Sequence, residues 1–132
     1  MFYWALVLAY AGFIFYLSSQ PYLGVPSEII LLDPMQLSLH LSEYLPLGFL
    51  LARAVSKTKN LTLNNSFFLP LFMGVGYGLT DELHQFFVPG RTASIFDAGA
   101  DTLGVALGVI FWMGWRRWQR DKVSFKKRSA KL

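Results

Sequence analysis

The chain has 132 residues, enough for one domain, and combines only 15% charged residues with a mean hydropathy of +0.40. An average soluble domain carries roughly 25% charged residues, so this composition excludes a disordered chain and argues against an ordinary water-soluble fold. The absence of cysteine excludes a disulfide framework, a thiolate metal site and a cysteine nucleophile, while the net charge of +4 takes its meaning from where the charges lie.

Four apolar stretches, at about residues 2–17, 35–52, 67–87 and 95–115, read as transmembrane helices. Crossing a bilayer takes about 20 helical residues, within a range of about 17–25, so the first two are near the short limit and the last two fit comfortably. The first stretch lacks the polar face that a soluble bundle shows at a period of 3.6 residues. It also lacks a basic leader, and Leu17-Ser18-Ser19 is a poor cleavage site, so it reads as a retained helix rather than a signal peptide. Asp33-Pro34 starts the second helix, with a capping carboxylate, a proline at the first helical position and Gln36 completing a capping box. Pro46 falls inside that helix and predicts a kink, whereas Pro70 falls in the first turn of the third. Val88-Pro89-Gly90 stops the third helix, and Ser94 with Asp97 repeats the capping logic at the start of the fourth. The expected fold is therefore all-α: an integral membrane bundle of four transmembrane helices over residues 1–115, then a basic tail over 116–132.

Orientation follows from the basic residues. Arg53, Lys57 and Lys59 flank the second connection, and eight more lysines and arginines follow residue 115, so eleven of the twelve share one side of a four-span chain. The positive-inside rule places that side, with both termini, in the cytoplasm, and only Arg91 falls outside. An odd number of spans would split the basic clusters. The tail, with Trp112, Trp115 and Trp118 beside it, is read as a topology determinant attracted to anionic lipid headgroups; nucleic acid is not an expected partner.

Polar residues recur where a membrane makes them expensive. Gln36, His40, Glu43 and Tyr44 share one face of the second helix. Tyr77, Asp81, His84 and Gln85 share one face of the third, with Gly74 and Gly78 beside them, and Ser94, Asp97, Asp101, Gly104 and Gly108 share one face of the fourth. At about 1.5 Å per residue, His40, Asp81 and Asp101 each lie about 9 Å inside the outer ends of their helices. A charge at bilayer depth costs at least about 2.5–3.5 kcal/mol and normally faces the bundle interior, so the three stripes are expected to meet in an outward-open pocket. Gly74, Gly76, Gly78, Gly104 and Gly108 are expected to let the third and fourth helices approach closely. Plainer readings stand beside this one: Asp97 as a cap, His40 with Tyr44 as an interhelical hydrogen bond, Asp101 paired with Arg91 or His84, and Glu82, about 100° from Asp81, as a solvated rim residue.

The runs Ser18-Ser19-Gln20-Pro21, His40-x-x-Glu43-Tyr44, Tyr77-Gly78-x-x-Asp81-Glu82-x-His84-Gln85, Val88-Pro89-Gly90-Arg91-x-x-Ser94-x-x-Asp97 and Asp101-x-x-Gly104 resemble the VanZ-like family of small membrane proteins over about residues 10–110. The resemblance implies a multi-helix membrane protein, and the family's name member is linked to low-level teicoplanin resistance. The family often carries Asn where Asp101 stands. Teicoplanin binds cell-wall precursors, so the expected partner besides the lipid bilayer is a lipid-linked envelope precursor at the outer face of a bacterial cytoplasmic membrane.

In an enzymatic reading, His40, Glu43, Asp81 and His84 are the candidate catalytic acids and bases, and Arg91 holds a phosphate. Tyr44, Glu82, Gln85, Ser94, Asp97 and Asp101 complete the pocket. His40-x-x-Glu43 and Asp81-x-x-His84 have a spacing that can ligate a divalent metal, but no cofactor is assigned and metal is not the favoured reading. Two alternatives remain open: a proton- or ion-coupled transport or binding protein, with a homodimer supplying a second half, and a structural accessory subunit. The topology is tested by Tyr22→Cys, Lys59→Cys and Thr92→Cys. An impermeant thiol reagent applied to intact cells is expected to label positions 22 and 92 and to leave 59 unmodified; labelling of position 59 from outside defeats the four-span arrangement.

Overall fold

The computed structural model describes residues 1–21, 34–58, 63–91 and 93–129. Among them are four helices and no strand: α1 (Phe2–Ser18), α2 (Pro34–Thr58), α3 (Leu63–Gln85) and α4 (Ile95–Ser129). The predicted Asp33 cap, Lys59, Thr92 and Lys131 lie outside the described residues.

α1 has nearly the expected bounds. α2 runs six residues beyond the expected end at 52, because Ala54 and Val55 continue its buried stripe and the Thr58 hydroxyl donates back to the Ala54 carbonyl at 2.8 Å. The first basic residue, Arg53, ends the apolar run but not the helix. α3 begins four residues earlier and ends two residues earlier than expected, which puts Pro70 in the helix interior rather than its first turn. α4 continues through the basic segment to Ser129, so the expected tail is an extension of the helix rather than a separate segment. Arg, Lys and Gln are good helix formers, and from residue 116 to 126 every side chain is exposed.

Successive helices run antiparallel. At one end the Trp4 indole donates to Thr58 Oγ1 at 2.9 Å, Trp112 Nε1 donates to Ser56 Oγ at 3.1 Å, and the Arg53 guanidinium lies over Tyr3 and Trp112, 5.0 and 6.0 Å from their ring centroids. The end of α1, the start of α2, the end of α3 and the start of α4 meet at the other. Between them lies an apolar core that includes Ile14, Leu47, Leu51, Val105 and Val109.

The most extensive pairing is α2 with α4, and glycine sets its distance. A Cβ on Gly104 would lie 2.6 Å from the Leu41 carbonyl oxygen, and one on Gly108 or Gly48 would collide with the Leu45 or Val105 carbonyl. Gly104 and Gly108 thus serve α2, not the expected contact with α3. That contact is made from the α3 side, where Gly74 faces Val105 and Gly78 faces Asp101, while Gly76 points to open space.

The outer surface is apolar, with Leu8, Phe13, Phe72, Leu79, Leu103 and Ile110 exposed, while Asp81, Glu82, Asp97 and Asp101 are buried at 3, 6, 3 and 1% exposure. Among the described residues one helix is long and apolar enough to cross a membrane, over Ile95–Lys126, and α1 is a shorter apolar helix.

The glycine geometry gives predictions of opposite sign. Gly108→Leu forces α2 and α4 apart and is expected to destabilise the fold by at least about 1–3 kcal/mol. Gly76→Ala fills nothing and removes the glycine penalty of a helix interior, so it is expected to stabilise by about 0.5–1 kcal/mol. Thermal unfolding of the detergent-purified protein measures both.

Candidate functional site

Each helix brings polar groups to the same end of the bundle. α2 and α4 are joined by two side-chain contacts one turn apart: Gln36 Nε2 donates to Asp97 Oδ2 at 2.8 Å, and His40 Nδ1 lies 2.9 Å from Asp101 Oδ1. His40 Nε2 is 3.9 Å from Asp97 Oδ2. α1 and α3 are joined through Ser18, the first polar side chain after the apolar run of α1. Its hydroxyl donates to Asp81 Oδ2 at 2.7 Å, and Gln85 Nε2 donates to the same oxygen at 3.0 Å.

The start of α4 has a capping arrangement shared between helices. Ser94 Oγ accepts from the Phe96 N–H at 3.2 Å, as an N-cap should. In a capping box the third helical residue reaches back to the N–H of the cap. Here the Ser94 N–H donates to Glu82 Oε2 of α3 at 2.9 Å, and Asp97, the residue expected to serve, accepts from Gln36 of α2. Glu82 is accordingly buried rather than a solvated rim residue, its carboxylate turned to the start of α4.

Arg91 follows the turn at Gly90, whose φ of 78° glycine adopts without the strain a side chain would bring. Its described hydrogen bonds go to backbone carbonyls: Nε donates to the Gln20 carbonyl at 3.1 Å and a terminal nitrogen to the Leu17 carbonyl at 3.0 Å. The planar fork thus ties down carbonyls at the end of α1, where Leu17 O also accepts from the Gln20 N–H at 3.1 Å. Asp101, expected to pair with Arg91 or His84, instead pairs with His40.

A cavity of about 140 Å³ opens among these elements, lined by Leu17, Ser18, Met35, Gln36, Leu39, His40, Glu43, Gln85 and Arg91. Four of the sequence-predicted site residues are therefore on its wall: His40, Glu43, Gln85 and Arg91. The Glu43 carboxylate is half-buried and has no hydrogen-bond partner among the described residues.

Asp81, Glu82, Asp97 and Asp101 form a buried layer behind the wall. Tyr44 is fully buried, its ring tilted against Tyr77 at 6.2 Å, so it packs the core rather than facing the cavity or bonding to His40. Ser94 caps α4. His84 stands apart, stacked on Phe15 at 4.3 Å, with Nε2 3.0 Å from Ser19 Oγ. The Ser19 hydroxyl donates to the Phe15 carbonyl at 2.7 Å, so its oxygen accepts from His84 Nε2–H.

Ser18 and Gln36 are the polar wall residues missing from the predicted site. Gln36 was legible as the i−4 neighbour of His40; Ser18 belongs to a helix with no polar stripe of its own. Each histidine is engaged outside its own helix, His40 with Asp101 and His84 with Ser19. The group that does converge is His40, Glu82 and Asp101, whose potential ligand atoms lie within 4.8 Å of one another.

These features define an all-α protein with a small cavity backed by buried carboxylates at one end of its four described helices. The family model described as VanZ/LLP1 matches residues 2–117, and the chain belongs to that family. No curated protein and no solved structure matches it.

Replacing Arg91 by Ala leaves the Leu17 and Gln20 carbonyls without its donors and is expected to cost about 1.5–3 kcal/mol. Arg91→Lys, which cannot span both carbonyls with a planar fork, is expected to recover only part of that loss in thermal unfolding.

Proposed function

We propose that the chain is a four-span protein of the bacterial cytoplasmic membrane whose cavity opens outward and holds the anionic headgroup of a lipid-linked envelope precursor. The observation that carries this reading is polarity along the bundle: the cavity and Arg91 lie at one end, and Arg53, Lys57 and the basic stretch of α4 at the other. With that basic end in the cytoplasm, the cavity faces out. Membrane embedding is supported by the apolar exterior. The low hydropathy of α2 and α3 has a matching explanation, because His40, Asp81, Glu82 and Gln85 are turned inward and do not meet lipid.

The cavity is smaller than the roughly 300–1,000 Å³ of pockets for drug-sized ligands. Its size suits a phosphate-sized group, with Leu17, Met35 and Leu39 offering apolar surface to the first carbons of a lipid chain. Arg91 supplies the positive charge, while His40 and Glu43 are the titratable groups on the wall and the acid and base of any reaction there. Asp81 acts through Ser18 and Gln85, which it positions. Occupation of a precursor headgroup links this site to susceptibility to teicoplanin.

The wild-type chain, expressed in a teicoplanin-susceptible host, is expected to raise the inhibitory concentration several-fold. The purified protein is expected to bind a short-chain polyprenyl phosphate. Glu43→Gln, at equal membrane abundance, is expected to abolish the resistance effect. Absence of polyprenyl phosphate binding by the wild type refutes the headgroup reading, and full resistance with Glu43→Gln refutes the role of that carboxylate.

A further inference from the structure

The buried layer behind the cavity has an imbalance that its hydrogen bonds do not remove. Asp81, Glu82, Asp97 and Asp101 are all nine-tenths or more buried, and the described ion pairs within the layer both come from His40. Glu82 commits Oε2 to the Ser94 N–H and Asp101 commits Oδ1 to His40, but Glu82 Oε1 and Asp101 Oδ2 are buried without a hydrogen-bond partner. A buried carboxylate oxygen in that state is costly, and buried charges are ordinarily paired or bound to metal.

We propose that His40, Glu82 and Asp101 bind one divalent transition-metal cation of the zinc or manganese class. Their potential ligand atoms already lie within 4.8 Å of one another. Ligands arranged tetrahedrally at about 2.0–2.2 Å from one ion lie about 3.3–3.6 Å apart, so binding asks the more distant atoms of the group to approach by up to about 1.5 Å. His40 Nδ1 and Asp101 Oδ1, 2.9 Å apart, are already closer than that separation.

One imidazole and two carboxylates, with no thiolate in the chain, favour zinc or manganese over the soft metals. The imidazole disfavours calcium and magnesium, which prefer oxygen alone. The ligands have outer support: the Ser94 N–H holds Glu82, and Gln36 holds Asp97 beside His40. Three protein ligands leave coordination positions unfilled, as at metal sites that act on a bound molecule, and His40 is also part of the cavity wall, so the ion borders the cavity. This site stands independently of whether the cavity takes a lipid headgroup.

The test uses the full chain in detergent, stripped with EDTA and titrated with Zn²⁺ or Mn²⁺. Direct binding of about one ion per chain is expected, with a rise in the thermal midpoint. Glu82→Gln and Asp101→Asn are each expected to weaken binding at least tenfold, and His84→Ala, outside the group, to bind as the wild type does. Failure of the wild type to bind either ion overturns the proposal, as does undiminished affinity in Glu82→Gln. If the ligand variants do not fold, X-ray absorption of zinc-loaded His84→Ala decides: one imidazole with oxygen ligands is expected, and a shell without imidazole overturns it.

Discussion

The burial of four carboxylates at one end of a small bundle is the constraint around which the rest is arranged. They reach into three helix junctions: Asp81 to Ser18 of α1, Glu82 to Ser94 at the cap of α4, and Asp97 and Asp101 to Gln36 and His40 of α2. Polar groups that would be expensive singly become the cross-links between helices, and every helix contributes to at least one. Elsewhere the bundle has an apolar core and an apolar surface, so position along the helices, more than distance from the centre, determines where polarity is found.

The α2–α4 pair forms the base for this arrangement. Gly48, Gly104 and Gly108 bring the two backbones close, and that approach sets Gln36 opposite Asp97 and His40 opposite Asp101 at hydrogen-bond distance. Since the four residues occupy equivalent turns on parallel helices, a shift of either helix by one turn would break both contacts and move the glycines out of register. Close packing in the apolar half therefore specifies the geometry of the polar half.

Much of this was legible from spacing. The four helices, the stripes of α2, α3 and α4, and their convergence at one end follow from helical periodicity, and Ser94 is a cap in the structure as in the sequence. What escaped the sequence has two physical origins. A helix does not end where its apolar run ends, so α2 continues past Arg53 and α4 through the basic residues. The choice among polar partners is made by tertiary packing: Asp97 yields its capping-box duty to Glu82, and Arg91 donates to the carbonyls of Leu17 and Gln20. Nothing within uniformly apolar α1 announces that its end will be held by residues of α3 and the following turn.

That last feature has a consequence for biosynthesis. Ser18 waits for Asp81, 63 residues later, and Leu17 for Arg91, 74 residues later. At about 5–20 residues per second the end of α1 emerges several seconds before the groups that secure it. During that interval it is a tethered helix with unmet polar groups, and synthesis of the third helix and its turn completes the clasp. The order of translation thus makes α1 the first helix made and one of the last to be locked.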